Sequence, residues 1–154
     1  MESPITLNEL IEKIENYECI SNVNTSLIDD MSYLFCISNE KNIYRGKYFN
    51  QPLNKWDVSN VKTMEGMFSN ATGFNQPLND WDVSNVEVMS YMFEHAEKFN
   101  HPLNDWDVSK VKKMSSMFQY AKSFNHPLND WDVSNVNFII PTKPHTFTVW
   151  GSRQ

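Results

Sequence analysis

The sequence predicts an α/β fold, a right-handed solenoid of 25-residue strand-turn-helix units in which the strands form a parallel sheet. Three observations predict it. Phenylalanine recurs at positions 49, 74, 99 and 124, tryptophan at 56, 81, 106 and 131, and valine at 61, 86, 111 and 136. Each unit contains a short alternating segment followed by a helix-like stripe. A unit of this size cannot bury such a stripe alone, so the units are expected to stack.

We expect the 154 residues to form a single solenoid domain. Its predicted parts are an N-terminal capping helix segment (1–22), a degenerate first unit with a loop insertion at Asn39 to Tyr48 (23–48), the regular repeats (49–140) and a C-terminal cap or tail (141–154). The capping helix itself is predicted over residues 6–18. Thr6 and Glu9 have capping-box spacing and precede an apolar stripe.

Two periodicities divide each regular unit, as residues 74–98 illustrate. Trp81-Asp82-Val83 alternates like a short strand, which would place the Trp and Val side chains inside. A helix is predicted next, because apolar residues recur at i, i+3, i+6, i+7 and i+10: Val86, Met89, Met92, Phe93 and Ala96. Ser84 and Glu87 would form its capping box. The repeated Trp, Phe and Met residues are therefore predicted to form columns in the core.

The repeat motif resembles a known family. FNQPLNDWDVSNV followed by VxxMxxMFxxA is similar to the BspA-like leucine-rich-repeat surface proteins of bacteria, over roughly residues 20–140. The resemblance implies a leucine-rich-repeat-like solenoid and a non-enzymatic role in adhesion or protein recognition. It also implies a cell-surface or secreted location. The acidic start of the sequence, MESPITLNELIEKIENYE, shows no signal peptide, which points instead to the cytoplasm.

Charge and hydropathy exclude several classes of partner. The formal net charge of -6 argues against binding to nucleic acids or to anionic membranes. No run of 18 apolar residues occurs, so no membrane insertion is predicted. His101 and His126 share one repeat position, but no third metal ligand accompanies them. Neither a metal nor a cofactor is predicted.

The candidate binding surface is the predicted strand face, where acidic residues repeat beside the inward Trp. Its residues are Asp80, Asp82, Asp105, Asp107, Asp130 and Asp132. Two interpretations remain open. The Asp residues that follow each Trp are expected either to bind amides of a neighbouring turn, as a ladder between coils, or to contact a basic partner. A calcium site is disfavoured because no recognised spacing of oxygen ligands is present.

The predicted function is a non-catalytic recognition or adhesion module that binds a protein or peptide, preferably basic, on this face. No nucleophile motif, phosphate loop or unique carboxylate pair indicates an enzyme. An active site would require a cleft formed by the insertion at Asn39 to Tyr48 or by the C-terminal tail. The alternative function is a structural element that self-associates through the exposed ends of the solenoid, without a distinct ligand.

Overall fold

The computed structural model describes residues 3–38 and 43–137. Within these ranges the regular elements are one helix, α1 (Leu7–Glu15), and two antiparallel strands of two residues each, β1 (Ile37–Ser38) and β2 (Ile43–Tyr44). The predicted α/β solenoid of strand-turn-helix units with a parallel sheet is therefore wrong. The 25-residue units do stack as coils, but they are built from turns.

Helix α1 begins at the predicted capping box. The Thr6 hydroxyl accepts a hydrogen bond from the Glu9 amide, and the Glu9 carboxylate accepts one from the Thr6 amide at 2.7 Å. Leu10 and Ile14 are buried, so the apolar stripe packs against the core. The helix ends earlier than predicted, at Glu15. The predicted capping box is confirmed. It could be predicted because the residues that form it are close in the sequence.

The segment predicted as a strand in each coil lies between two tight turns. In the second regular coil, the Trp81 amide donates to the Leu78 carbonyl at 3.1 Å, and the Val86 amide donates to the Val83 carbonyl at 2.9 Å. A side chain, and not the backbone, binds the preceding coil here: Nε1 of Trp81 donates to the Leu53 carbonyl at 2.9 Å. The Pro, Asn, Asp and Ser residues around each Trp favour turns over strands.

The segment predicted as a helix forms backbone hydrogen bonds with the next coil and not within itself. The amides of Met89, Tyr91, Phe93 and His95 donate to carbonyls 24 residues later, at 2.7 to 2.9 Å. A helix would require the same amides to donate to carbonyls four residues earlier. Tyr91 and His95 also have positive φ angles, 60° and 53°, which interrupt an extended strand. Among the described residues, only isolated parallel bridges result, such as Thr63 with Val88.

Columns of aromatic rings fill the core, as the repeat predicts. The four Trp side chains at 56, 81, 106 and 131 are 3 to 6% exposed. Their rings follow one another at 6.4 to 6.5 Å and within 5° of parallel. Two Phe columns interleave beside them, with Phe93 at 4.2 Å from Phe99 and Phe118 at 4.2 Å from Phe124. The small angles between Trp planes mean that little rotation accumulates from coil to coil.

The insertion makes the first coil different from the others. Strand β1 directly precedes the insertion and pairs with β2 inside it, and residues 39–42 between the two strands lie outside the described part. Arg45 Nε then donates to the Leu34 carbonyl at 2.9 Å. Gly46 passes so close to the core that a Cβ there would lie 1.7 Å from the Phe35 carbonyl oxygen. The predicted cap or tail at 141–154 also lies outside the described residues.

Candidate functional site

The six predicted site residues lie in three successive coils, and all six are exposed. We call them the acidic ridge: Asp80, Asp82, Asp105, Asp107, Asp130 and Asp132. In each coil they flank a buried Trp, so the two carboxylates of a coil point away from the core. They lie on turns and not on the strand face that was predicted. Parallel bridged segments are about 4.8 Å apart, which sets the approximate spacing of the ridge.

The inner row of the ridge, Asp82, Asp107 and Asp132, closes a turn within its own coil. One carboxylate oxygen of Asp82 accepts from the Ser84 amide at 3.1 Å and from its hydroxyl at 2.6 Å. Hydrogen bonds from Ser84 lower the pKa of Asp82, and those from Ser109 lower the pKa of Asp107. Asp82 and Asp107 therefore stay ionised, with charge left to face solvent.

Asn residues, and not the inner Asp row, form the ladder that joins the coils. The amides of Asn75, Asn100 and Asn125 donate to the side-chain carbonyl of the Asn one coil earlier, at 2.8 to 3.1 Å. The motif FNxP places one such Asn in every coil. Because these bonds hold successive coils in register, the carboxylates of the ridge are carried on a fixed scaffold.

The outer row of the ridge is Asp80, Asp105 and Asp130, and Asn side chains of the preceding coil bind the last two. Asn79 Nδ2 donates to Asp105 at 2.6 Å, and Asn104 Nδ2 donates to Asp130. In the first regular coil the equivalent position is Lys55, whose ammonium donates to Asn22 at 3.1 Å. The outer row therefore begins only at the second regular coil.

Charge pairs occupy another surface. Lys112 contacts Glu87 at 2.7 Å and Lys122 contacts Glu97 at 2.6 Å. Both pairs are exposed, so their contribution to stability is small, and they neutralise two of the four lysines of the third regular coil. The ridge keeps its acidic character by comparison.

The described residues contain no group of three His, Cys, Asp or Glu side chains that could hold a metal ion. The two His side chains noted in the sequence serve the coil contacts: Nε2 of His101 lies 3.2 Å from the Asn75 carbonyl, and Nε2 of His126 lies 3.2 Å from that of Asn100. No helix within the described ranges has the length and apolar character needed to cross a membrane.

Sequence reasoning missed a cavity of about 340 Å³ between the end of α1 and the insertion. Its walls include Tyr17 and Tyr48, which are 89% and 82% exposed. The repeats give no signal for it, because its lining comes mostly from residues that occur once. The insertion is the sequence feature that could have indicated the cavity, since residues that depart from the repeat are not required for stacking.

A family model described as Mycoplasma protein of unknown function, DUF285, matches residues 37–140. The matched range contains all six residues of the acidic ridge and the whole insertion. No curated protein and no solved structure matches the chain.

Proposed function

The chain belongs to the DUF285 family of Mycoplasma proteins of unknown function, and we propose that it is a non-catalytic recognition module that binds a basic protein or peptide along the acidic ridge. The observation that carries the proposal is the repetition of two exposed carboxylates per coil over three successive coils. Each carboxylate repeats a structural position, as expected of an extended binding surface and not of a unique catalytic group.

The electrostatics of the ridge favour a cationic partner. Hydrogen bonds from Ser84 and Ser109 are the main reason that the pKa values of Asp82 and Asp107 are lowered, and Lys110 lowers both further. The charge of Asp107 acts on Asp82 in the opposite direction, as does that of Asp132 on Asp107. Like charges thus lie close enough to oppose one another's ionisation. A row of lysine or arginine side chains would relieve this repulsion, and charge complementarity of this kind contributes to orientation and specificity.

The spacing of the ridge favours a helical partner segment. Successive coils are about 4.8 Å apart, and three to four residues of an α-helix rise about 4.5 to 6 Å. A helix with a lysine at every third or fourth position would therefore bring one ammonium to each coil. In an extended peptide, side chains on one face repeat at about 6.6 Å, which does not match the coils.

The test is binding of a fluorescent alanine-rich helical peptide with lysines along one face, measured by anisotropy at low salt. A peptide of the same composition with lysines distributed around the helix is the control ligand. Replacing Asp80, Asp105 and Asp130 by Asn removes three charges but keeps an acceptor oxygen at each site. At about 0.5 kcal/mol for each lost pair, affinity should fall about tenfold.

A matched protein control removes the same charge elsewhere, with Glu12→Gln, Asp29→Asn and Glu97→Gln. Only long-range attraction is lost in this variant, so its affinity should fall no more than about twofold. Equal losses in the two triple variants would mean that net charge, and not the ridge, attracts the peptide. Equal binding of the two peptides would refute the helical geometry.

A further inference from the structure

The cavity between α1 and the insertion has a preformed apolar floor. Ile20 is fully buried, Ile14 is 7% exposed, and Phe49 stacks on Phe35 with ring centroids 4.0 Å apart. Gln51 fixes the chain that follows α1 across this floor. Its side-chain oxygen accepts from the Ile20 amide at 2.8 Å, and its side-chain nitrogen donates to the Glu18 carbonyl at 2.9 Å.

Two tyrosines stand at the mouth of the cavity. Tyr17 and Tyr48 are the most exposed of the large hydrophobic side chains in the described residues, at 89% and 82%, and both line this one cavity. Tyr17 also has a φ of 57° directly after the helix, a conformation that favours glycine or asparagine. An exposed tyrosine with this backbone conformation therefore does not contribute to the stability of the fold. Exposed tyrosines around a preformed pocket are characteristic of a binding site.

Cations border the same opening. Arg45 contacts Glu15 at 3.2 Å, and Glu18 is held by Lys13 at 2.7 Å, so the nearby carboxylates are already paired. Lys47 differs, because no carboxylate of residues 3–38 or 43–137 is within ion-pair distance of its ammonium. That ammonium lies 5.2 Å from the centre of the Tyr48 ring. In the described part of the chain, the cavity thus combines an apolar floor, an aromatic mouth and the ammonium of Lys47, which is available to a ligand.

From this combination we propose that the cavity anchors one aromatic or large aliphatic side chain of an acidic peptide segment in a partner protein. The side chain enters between Tyr17 and Tyr48 and rests on Phe49. Carboxylates next to it in the peptide pair with Lys47. The volume of about 340 Å³ is at the small end of the range for ligand pockets, as suits one side chain and not a cofactor. This surface has the opposite charge preference to the acidic ridge, and the inference does not depend on the function proposed for the ridge.

The probe is the blocked peptide Asp-Asp-Phe-Asp-Asp, titrated into the isotope-labelled full chain and followed by amide chemical shifts. Shifts should concentrate at the amides of Tyr17, Ile20 and residues 45–51. Replacing the phenylalanine of the peptide by alanine should weaken binding at least about tenfold, because the apolar anchor is lost. Replacing its aspartates by lysines should abolish measurable shifts at the cavity.

Two exposed residues of the cavity provide variants that should not disturb folding. Lys47→Glu should weaken binding of the acidic peptide at least about fivefold, because an attraction becomes a repulsion. Its matched control, Lys98→Glu, makes the same charge change on an exposed residue of the second regular coil and should leave binding within about twofold. Tyr48→Ala should weaken binding more than Tyr120→Ala, the change of another exposed tyrosine.

Equal binding by Lys47→Glu and Lys98→Glu would overturn the proposal, as would shifts that concentrate on the ridge. Shifts at the cavity that depend on protein concentration, without peptide, would assign the site to a second copy of this chain and also overturn it. If the ridge triple variant binds the acidic peptide at the cavity as the unmodified chain does, while binding of the lysine peptide is unchanged from the unmodified chain, the function proposed for the ridge fails and the cavity proposal stands.

Discussion

Trp106 provides the most direct test of the stacked core, because it lies in the middle of the Trp column. Its side chain is 3% exposed and lies between Trp81 at 6.5 Å and Trp131 at 6.4 Å. An aromatic side chain of this kind buries about 150–250 Å², worth about 4–6 kcal/mol at 25 cal/mol per Å². Alanine retains a small part of that area, so Trp106→Ala should lower the free energy of unfolding by about 3–5 kcal/mol.

Trp106→Phe separates ring stacking from the hydrogen bond. Nε1 of Trp106 donates to the Leu78 carbonyl at 2.9 Å, and that carbonyl also accepts from the Trp81 amide. It therefore keeps one partner when the indole is removed. The cost should be about 1–2 kcal/mol, from the lost hydrogen bond and the smaller ring. This variant still gives a result if Trp106→Ala does not fold.

The assay is urea unfolding followed by both tryptophan fluorescence and circular dichroism, with Leu27→Ala as the control. Leu27 is 67% exposed, so its replacement should change the free energy of unfolding by no more than about 0.5 kcal/mol. A loss below about 1 kcal/mol for Trp106→Ala, with an unchanged denaturant slope, would refute the stacked core. Equal losses for the Ala and Phe variants would refute the role assigned to ring stacking.

Two further predictions concern Tyr33 and Gly66, which both have a positive φ, 57° and 58°. A Cβ at Gly66, where φ is 58°, would lie 2.3 Å from Cε1 of Tyr33, so Gly66→Ala should lower the free energy of unfolding by at least about 1 kcal/mol. In urea unfolding the loss should be smaller in a Tyr33→Ala background. Equal losses in the two backgrounds would contradict the contact with Tyr33. Burial, with a smaller effect of the Glu65 charge, raises the pKa of Tyr33 from 10.0 to about 12. The contribution of neutral Tyr33 to the free energy of unfolding is thus fully present below about pH 10 and is lost as the pH rises through about 12. An absorbance titration of tyrosinate should contain a phase near pH 12 that Tyr33→Phe lacks, and its persistence in that variant would contradict the assignment.

The sequence alone determined the stacking of units and the residues of the core. Repetition at 25 residues placed Trp, Phe and Met in columns, because a side chain that recurs in register must meet its own copy when units stack. The capping box of α1 was equally readable, since all its partners lie within four residues. The exposed positions of the six acidic-ridge residues could also be predicted this way, because they flank Trp in the second, third and fourth regular coils.

The cavity at the end of α1 could not be predicted in the same way. Ile14 and Tyr17 come from the helix segment, and Lys47 and Tyr48 come from the insertion about 30 residues later. No repeat links these two segments, and Gln51 brings them together through hydrogen bonds to main-chain atoms. Gln76, His101 and His126 make the equivalent contact in later coils, so the repeat indicates that Gln51 binds a backbone carbonyl. It does not indicate that this carbonyl belongs to the segment after α1.

Tertiary structure alone decided the secondary structure of the coils. Apolar residues at i, i+3, i+6, i+7 and i+10 fit a helix, but a chain of tight turns also returns to the core about every third residue. The choice depends on where backbone amides find carbonyls. Met89 and Tyr91 donate to Lys113 and Ser115 in the next coil, and the side-chain pattern does not encode those distant acceptors. Stacking satisfies the amides between coils, and the predicted helix is therefore not formed.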